Sequence, residues 1–129
     1  MDELRARVFI ALTFLAVAGL ASEAVARPEN IRAGESYYSD DHRLVEGVRD
    51  IIGEKNFEEV YQFYAYYEAV YDEQERVIVF KEYKRGEVIA LEKYRYGTDG
   101  KLAERVVQRP GEPPEVTRGD SIQGKTTTR

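Results

Sequence analysis

The side chains suited by type to do chemistry are His42, the acids Glu58-Glu59, Asp72-Glu73 and Glu75, and ten tyrosines in a chain with no cysteine and no tryptophan. His42 stands beside Asp40 and Asp41, and a general base there requires a positioned substrate and a supporting pocket. Paired carboxylates serve glycoside hydrolysis when they face each other across a cleft, and calcium when they follow a loop with a central glycine and a terminal glutamate. The calcium spacing is absent and one small sheet leaves little room for a cleft, so the acids read as turn and surface charges. His42 reads as a solvated helix histidine. One histidine and no cysteine exclude a multi-histidine or thiolate metal site, a thiol nucleophile and any disulfide. No catalytic residue, metal or cofactor is expected. The net charge of −5 and a pI near 5.0 argue against a nucleic-acid partner, which requires a clustered cationic surface.

The tyrosines remain, and what they do depends on which elements carry them. Before any element comes a leader. Arg5 and Arg7 precede an uncharged stretch at residues 8–21, and Ala24-Val25-Ala26 places small residues at a cleavage site, the pattern of a secretory signal peptide. A retained anchor is the main alternative, against which Glu23 interrupts the run soon after its fourteenth residue, while a spanning helix needs roughly 20 apolar residues. Cleavage after Ala26 removes three acids and two bases and takes the net charge from −5 to −4. The expected location is therefore periplasmic or extracellular, with no stable membrane insertion after cleavage.

Residues 27–38 read as a flexible lead-in, with Pro28, Asn30 and Gly34 and no period. A domain follows at 39–109. Leu44, Val45, Val48, Ile51 and Ile52 fall on one helical face after Asp40 and Asp41, which predicts an amphipathic helix over about 40–52 closed by Gly53. Strands are predicted at about 60–71, 76–84, 87–96 and 101–108, although Phe57, Val60, Tyr61 and Tyr64 also suit a helix, with Asn56 and Glu59 imitating a capping box. Arg85-Gly86 marks a tight hairpin between the second and third strands. Residues 110–129 read as a disordered tail. The expected fold is α+β: one N-terminal helix packed on a four-stranded antiparallel meander.

A shift of 25 residues lays Tyr71-Asp72 with Arg76-Val77 on Tyr96-Gly97 with Lys101-Leu102, and Lys84-Arg85-Gly86-Glu87 on Arg109-Pro110-Gly111-Glu112. The stretch from Tyr94 and Tyr96 through Gly100-Lys101-Leu102 resembles the YD-type (Rhs-like) hairpin repeats of secreted shell proteins, over about residues 69–112. A helix followed by a meander is also similar to the cystatin-like and PepSY-like arrangements of small secreted domains. Both resemblances imply a non-catalytic exported protein.

Simple hairpin pairing sets Tyr67, Phe80, Leu91 and Val106 in one apolar row, joined by Tyr61, Phe63, Ala65, Ile78, Ile89 and Leu102 and covered by the helix. The opposite face then carries Tyr64, Tyr66, Tyr83 and Tyr94 amid Gln62, Glu68, Lys81, Glu92 and Arg105, with Tyr64 across from Tyr83. Those four tyrosines are the candidate binding residues, because tyrosine offers a flat apolar area and a polar tip. The same aromatics also serve simply to stabilise an exposed sheet. Arg118-Gly119-Asp120 spells an integrin-type tripeptide in the tail, a match short enough to arise by chance. The functional expectation is an exported, non-catalytic binding or envelope-associated module whose partner is an envelope glycan or protein. A small hydrolase using acidic residues is the alternative, as is a secreted protein inhibitor acting through its turns at 72–75 and 97–100.

Overall fold

In the computed structural model, which describes residues 27–119, the chain runs β1 (Ser36–Ser39), β2 (His42–Val45), β3 (Val48–Ile51), α1 (Phe57–Val60), β4 (Ala65–Tyr71), β5 (Val77–Lys84), β6 (Glu87–Tyr96), β7 (Leu102–Gln108) and β8 (Glu115–Arg118). Six strands form one antiparallel sheet in the order β1-β4-β5-β6-β7-β8, and β2-β3 form a separate hairpin. The α+β expectation is thus corrected: the described residues are mostly antiparallel β with one short helix, and among them no helix covers the sheet.

The segment expected as a helix at 40–52 is mostly the β2-β3 hairpin. Glu46 and Gly47 both take positive φ, 52° and 83°, which closes a two-residue turn whose twist matches its strands. Val45 then lies opposite Val48, and His42 opposite Ile51. Apolar residues at 44, 45, 48, 51 and 52 satisfy a helical period, but Val45, Val48, Ile51 and Ile52 are β-branched and suit a pleated surface better. Arg85 and Gly86 repeat the same device, at 51° and 77°, between β5 and β6.

The stretch expected as strand from residue 60 begins as one helical turn. The Asn56 carbonyl accepts from the Glu59 and Val60 amides at 3.1 and 3.0 Å, and Val60 is fully buried. The strand proper starts at Ala65. At the two ends, the lead-in supplies β1, paired to β4 with Tyr37 opposite Ala69, and the supposed tail supplies β8, paired to β7 with Val106 opposite Val116. Residues 1–26, which hold the expected leader, and 120–129 lie outside the described residues.

Register is where the two faces part from expectation. Irregularities at Val70/Tyr71, Glu82/Tyr83 and Arg95/Tyr96 each shift the ladder. Phe80 consequently lies opposite Ala69 and Glu92, and Glu92 opposite Val107, so the row Tyr67, Phe80, Leu91, Val106 is not formed. A one-residue slip sends alternate side chains to the other face. The core gathers Tyr37, Ala69, Tyr71, Val77, Phe80 and Tyr94 beneath Ile51 of the hairpin, with Ile31, Val48, Tyr67, Tyr96 and Leu102 packed around them.

The 25-residue shift reappears as geometry. The Asp72 amide donates to the Arg76 carbonyl at 2.9 Å and the Glu75 amide to the Asp72 carbonyl at 3.0 Å; the Gly97 and Gly100 amides do the same to Lys101 and Gly97 at 2.8 and 3.0 Å. Glu75 and Gly100 both take positive φ. Tyr71 and Tyr96, equivalent under the shift, each carry a guanidinium over the ring, Arg27 at 5.1 Å and Arg76 at 4.4 Å.

Candidate functional site

Among the described residues three carboxylates lie inside the protein, and each takes a tyrosine hydroxyl. Burying a charge is costly unless it is paired and hydrogen-bonded, so these pairings dictate what the interior can do.

Glu92, 1% exposed, projects from β6 toward the hairpin. Its Oε1 accepts from the Tyr94 hydroxyl at 2.9 Å and from Arg105 Nη2 at 2.8 Å, and its Oε2 accepts from Arg49 Nη1 at 3.0 Å. Arg49 also reaches Glu82 Oε1 at 3.2 Å, and its guanidinium lies 4.7 Å from the Phe80 ring centroid. Its backbone N–H donates to the Tyr94 hydroxyl at 3.0 Å. Burial alone works against a charged Glu92, but the Arg105 and Arg49 guanidiniums outweigh it and hold the carboxyl below the usual range. Tyr94 is pushed up, first by burial and then by the Glu92 charge.

Asp50, on β3, accepts from the Tyr71 hydroxyl at 2.5 Å and from Arg27 Nε at 3.1 Å. Burial, and then the bond to Asp50, push the Tyr71 phenol well up. Glu68 lies on the opposite face of the sheet, where Ser36 Oγ donates to it at 2.6 Å and the Tyr83 hydroxyl at 2.5 Å, with Lys81 Nζ 4.0 Å away. Tyr83 is raised by burial and by that bond. Every one of these carboxylates spends its oxygens on fixed partners, which suits it to holding strands in place and unsuits it to attacking a substrate.

The outer face also carries a run of aromatic rings. Tyr83 stacks on Tyr66 with centroids 4.5 Å apart and planes 9° from parallel. Tyr66 meets Tyr38 at 6.5 Å, Tyr38 meets Phe57 at 5.1 Å, and Phe57 stacks on Tyr61 at 5.7 Å. Tyr66 is 4% exposed, whereas Phe57 and Tyr61 are 47% and 54% exposed. The run therefore begins inside the protein and ends at its surface, where α1 leads into β4.

The four expected binding tyrosines separate. Tyr66 and Tyr83 are cross-strand partners, not Tyr64 and Tyr83. Tyr66 is buried in the ring stack and Tyr83 is half-buried. Tyr94 is buried on the opposite face beneath the hairpin, because the β5-β6 irregularity turned that part of β6 over. Tyr64 is 61% exposed at the end of the sheet, with the Arg85 guanidinium 5.5 Å over its ring.

The sequence pattern does not mark Phe57 and Tyr61 as surface aromatics, and strand alternation places Tyr61 in the core. Their four-residue spacing is the signal that puts both on one side of a helical turn. His42, expected as a solvated helix residue, lies on β2 with its ring 4.4 Å from Tyr67. Burial and then the Arg49 charge lower its basicity. Asp72 is a turn residue as expected: it accepts from Arg76 Nε at 2.8 Å and from the Gln74 amide at 2.9 Å, and these bonds hold its carboxyl low against partial burial. Of the tripeptide at 118–120, Arg118 closes β8 and bonds Glu104 at 2.7 Å, and Asp120 lies outside the described residues. Among the described residues no three His, Cys, Asp or Glu side chains converge as a metal cradle, and no helix is long and apolar enough to cross a membrane. Comparison with models of known protein families, with curated proteins and with solved structures finds no match.

Proposed function

We propose that the chain is an exported, non-catalytic, envelope-associated binding module that meets its partner through the aromatic end of the six-stranded sheet. The observation that carries this reading is the ring run ending in exposed Phe57 and Tyr61. Isolated exposed aromatics are ordinary, but a stacked pair braced from behind by Tyr38, Tyr66 and Tyr83 is held in one shape before any partner arrives. Preorganised aromatic area favours binding because little freedom remains to be lost. The hydrolase alternative has less support, since Glu92, Asp50 and Glu68 are each tied to arginine, lysine or tyrosine partners.

The test is retention on isolated cell envelopes. Wild-type protein is expected to sediment with envelopes, and a Phe57→Ser/Tyr61→Ser variant with an unchanged circular-dichroism spectrum is expected to stay in the supernatant. Equal sedimentation of the two proteins overturns the assignment of this surface. Export rests on the leader sequence, and mass spectrometry of extracytoplasmic protein is expected to find Arg27 at its N-terminus.

A further inference from the structure

We infer that the aromatic end takes a neutral oligosaccharide, one pyranose ring stacking on the Phe57–Tyr61 pair; this rests on the binding reading above. A pyranose carries its C–H bonds on its faces and its hydroxyls around its edge. It therefore wants a flat apolar floor with polar groups close by and water still within reach. The Phe57 and Tyr61 rings lie 28° from parallel and are each about half exposed, and Tyr38 supports Phe57 from beneath. The third exposed ring at this end, Tyr64, already has Arg85 over it, so the exposed aromatic area without a cation over it is that of the α1 pair.

The surroundings choose between partners. A protein hot spot sits in a well-packed pocket from which water is excluded, whereas the neighbours here in sequence, Glu54, Glu58, Glu59 and Gln62, are all exposed. They supply acceptors and an amide that hydroxyls can use. Their sign also decides which sugar. Among residues 54–62 the one cation, Lys55, stands 3.9 Å from both Asp40 and Glu59 and is neutralised by them, while Arg85 at this end lies over Tyr64. Residues 54–62 carry three acids and one base, a negative segment that disfavours uronic or sulfated glycans relative to neutral ones.

Titration of the purified protein with cellohexaose, maltohexaose, chitohexaose and polygalacturonate, followed by NMR of its aromatic and amide signals, tests this. At least one neutral hexaose is expected to give saturable shifts at Phe57 and Tyr61. Tyr61→Ser is expected to weaken that binding about tenfold or more, which corresponds to about 1.4 kcal/mol, while Tyr61→Phe keeps it. Polygalacturonate is expected to bind more weakly than that hexaose. No saturable shift with any neutral hexaose, equal binding of polygalacturonate, or unchanged binding by folded Tyr61→Ser each overturns the inference. Loss of envelope retention in Phe57→Ser/Tyr61→Ser without any hexaose binding removes the sugar and leaves the binding surface standing.

Discussion

Arg49 Nη1 and Glu92 Oε2 lie 3.0 Å apart between the hairpin and the sheet, with side chains 16% and 2% exposed. No backbone–backbone hydrogen bond among the described residues joins β2 or β3 to the six-stranded sheet. The hairpin is therefore seated by side chains, and this ion pair is the most deeply buried ionic contact between the two layers.

Removing the Glu92 charge leaves Arg49 and Arg105 facing each other around a neutral group. Glu92→Gln is expected to cost about 3–5 kcal/mol, the range for breaking a buried pair. Arg95→Ala, which removes an exposed partner 3.8 Å from Glu104, is expected to cost under about 1 kcal/mol. Chemical denaturation of the two variants side by side checks the contrast.

Acid should loosen the same contact. The folded Glu92 carboxyl titrates below its ordinary value of 4.5, so its stabilising effect is complete above that ordinary value and is lost as pH falls through the lower, folded one. Asp72, also lowered, acts in the same direction. Urea midpoints are expected to fall steadily below about pH 4.5, and Glu92→Gln is expected to flatten that fall.

Alkali acts through the phenols. Tyr96 is pushed up to about 12 by burial and then by Asp72, and Tyr71, Tyr83 and Tyr94 are raised further. A raised folded value means that stability is complete below pH 10, the ordinary tyrosine value, and is lost as pH climbs above it, because the unfolded chain ionises first. Tyrosinate absorbance is expected to show these four remaining neutral past pH 10 until the fold opens, and then ionising together.

Glu46 occupies a left-handed conformation that asparagine tolerates better than glutamate. Glu46→Asn is expected to stabilise the protein by about 1 kcal/mol, and Gly47→Val, at a φ of 83°, to destabilise it by more than that. Thermal unfolding of both variants decides.

Strands β5, β6 and β7 were legible in the sequence to within a residue, because Arg85-Gly86 and the turn at 97–100 punctuate alternating apolar runs. The hairpin was not, although Glu46-Gly47 uses the same turn chemistry as Arg85-Gly86, because its apolar residues also fit a helix. What tips the balance is remote: Arg49 meeting Glu92 and Phe80, and Asp50 meeting Tyr71, contacts that only the folded sheet provides. Faces were lost for a smaller reason. Each irregular position adds one residue to a ladder, and nothing in the types of Glu82 or Tyr83 announces one, so simple alternation puts Glu92 and Tyr94 on the outer face. The candidate surface is half legible: Tyr64 is an expected binding residue and is exposed, while the strand propensity of residues 60–71 masks the single helical turn that exposes Phe57 and Tyr61.

The recurrence of one corner after 25 residues gives the sheet an unfixed width. Tyr71 and Tyr96 each enter a turn with the same hydrogen bonds, and each follows an irregular ladder position, so the chain that leaves the second corner is oriented as it left the first. Growth by duplication of a hairpin-sized unit would move the outer edge away from β7 while leaving the seat of the β2-β3 hairpin, and the ring run at the far side, undisturbed. The two halves of the molecule are in that sense free to change at different rates: one side anchored by its contacts, the other extensible by copying.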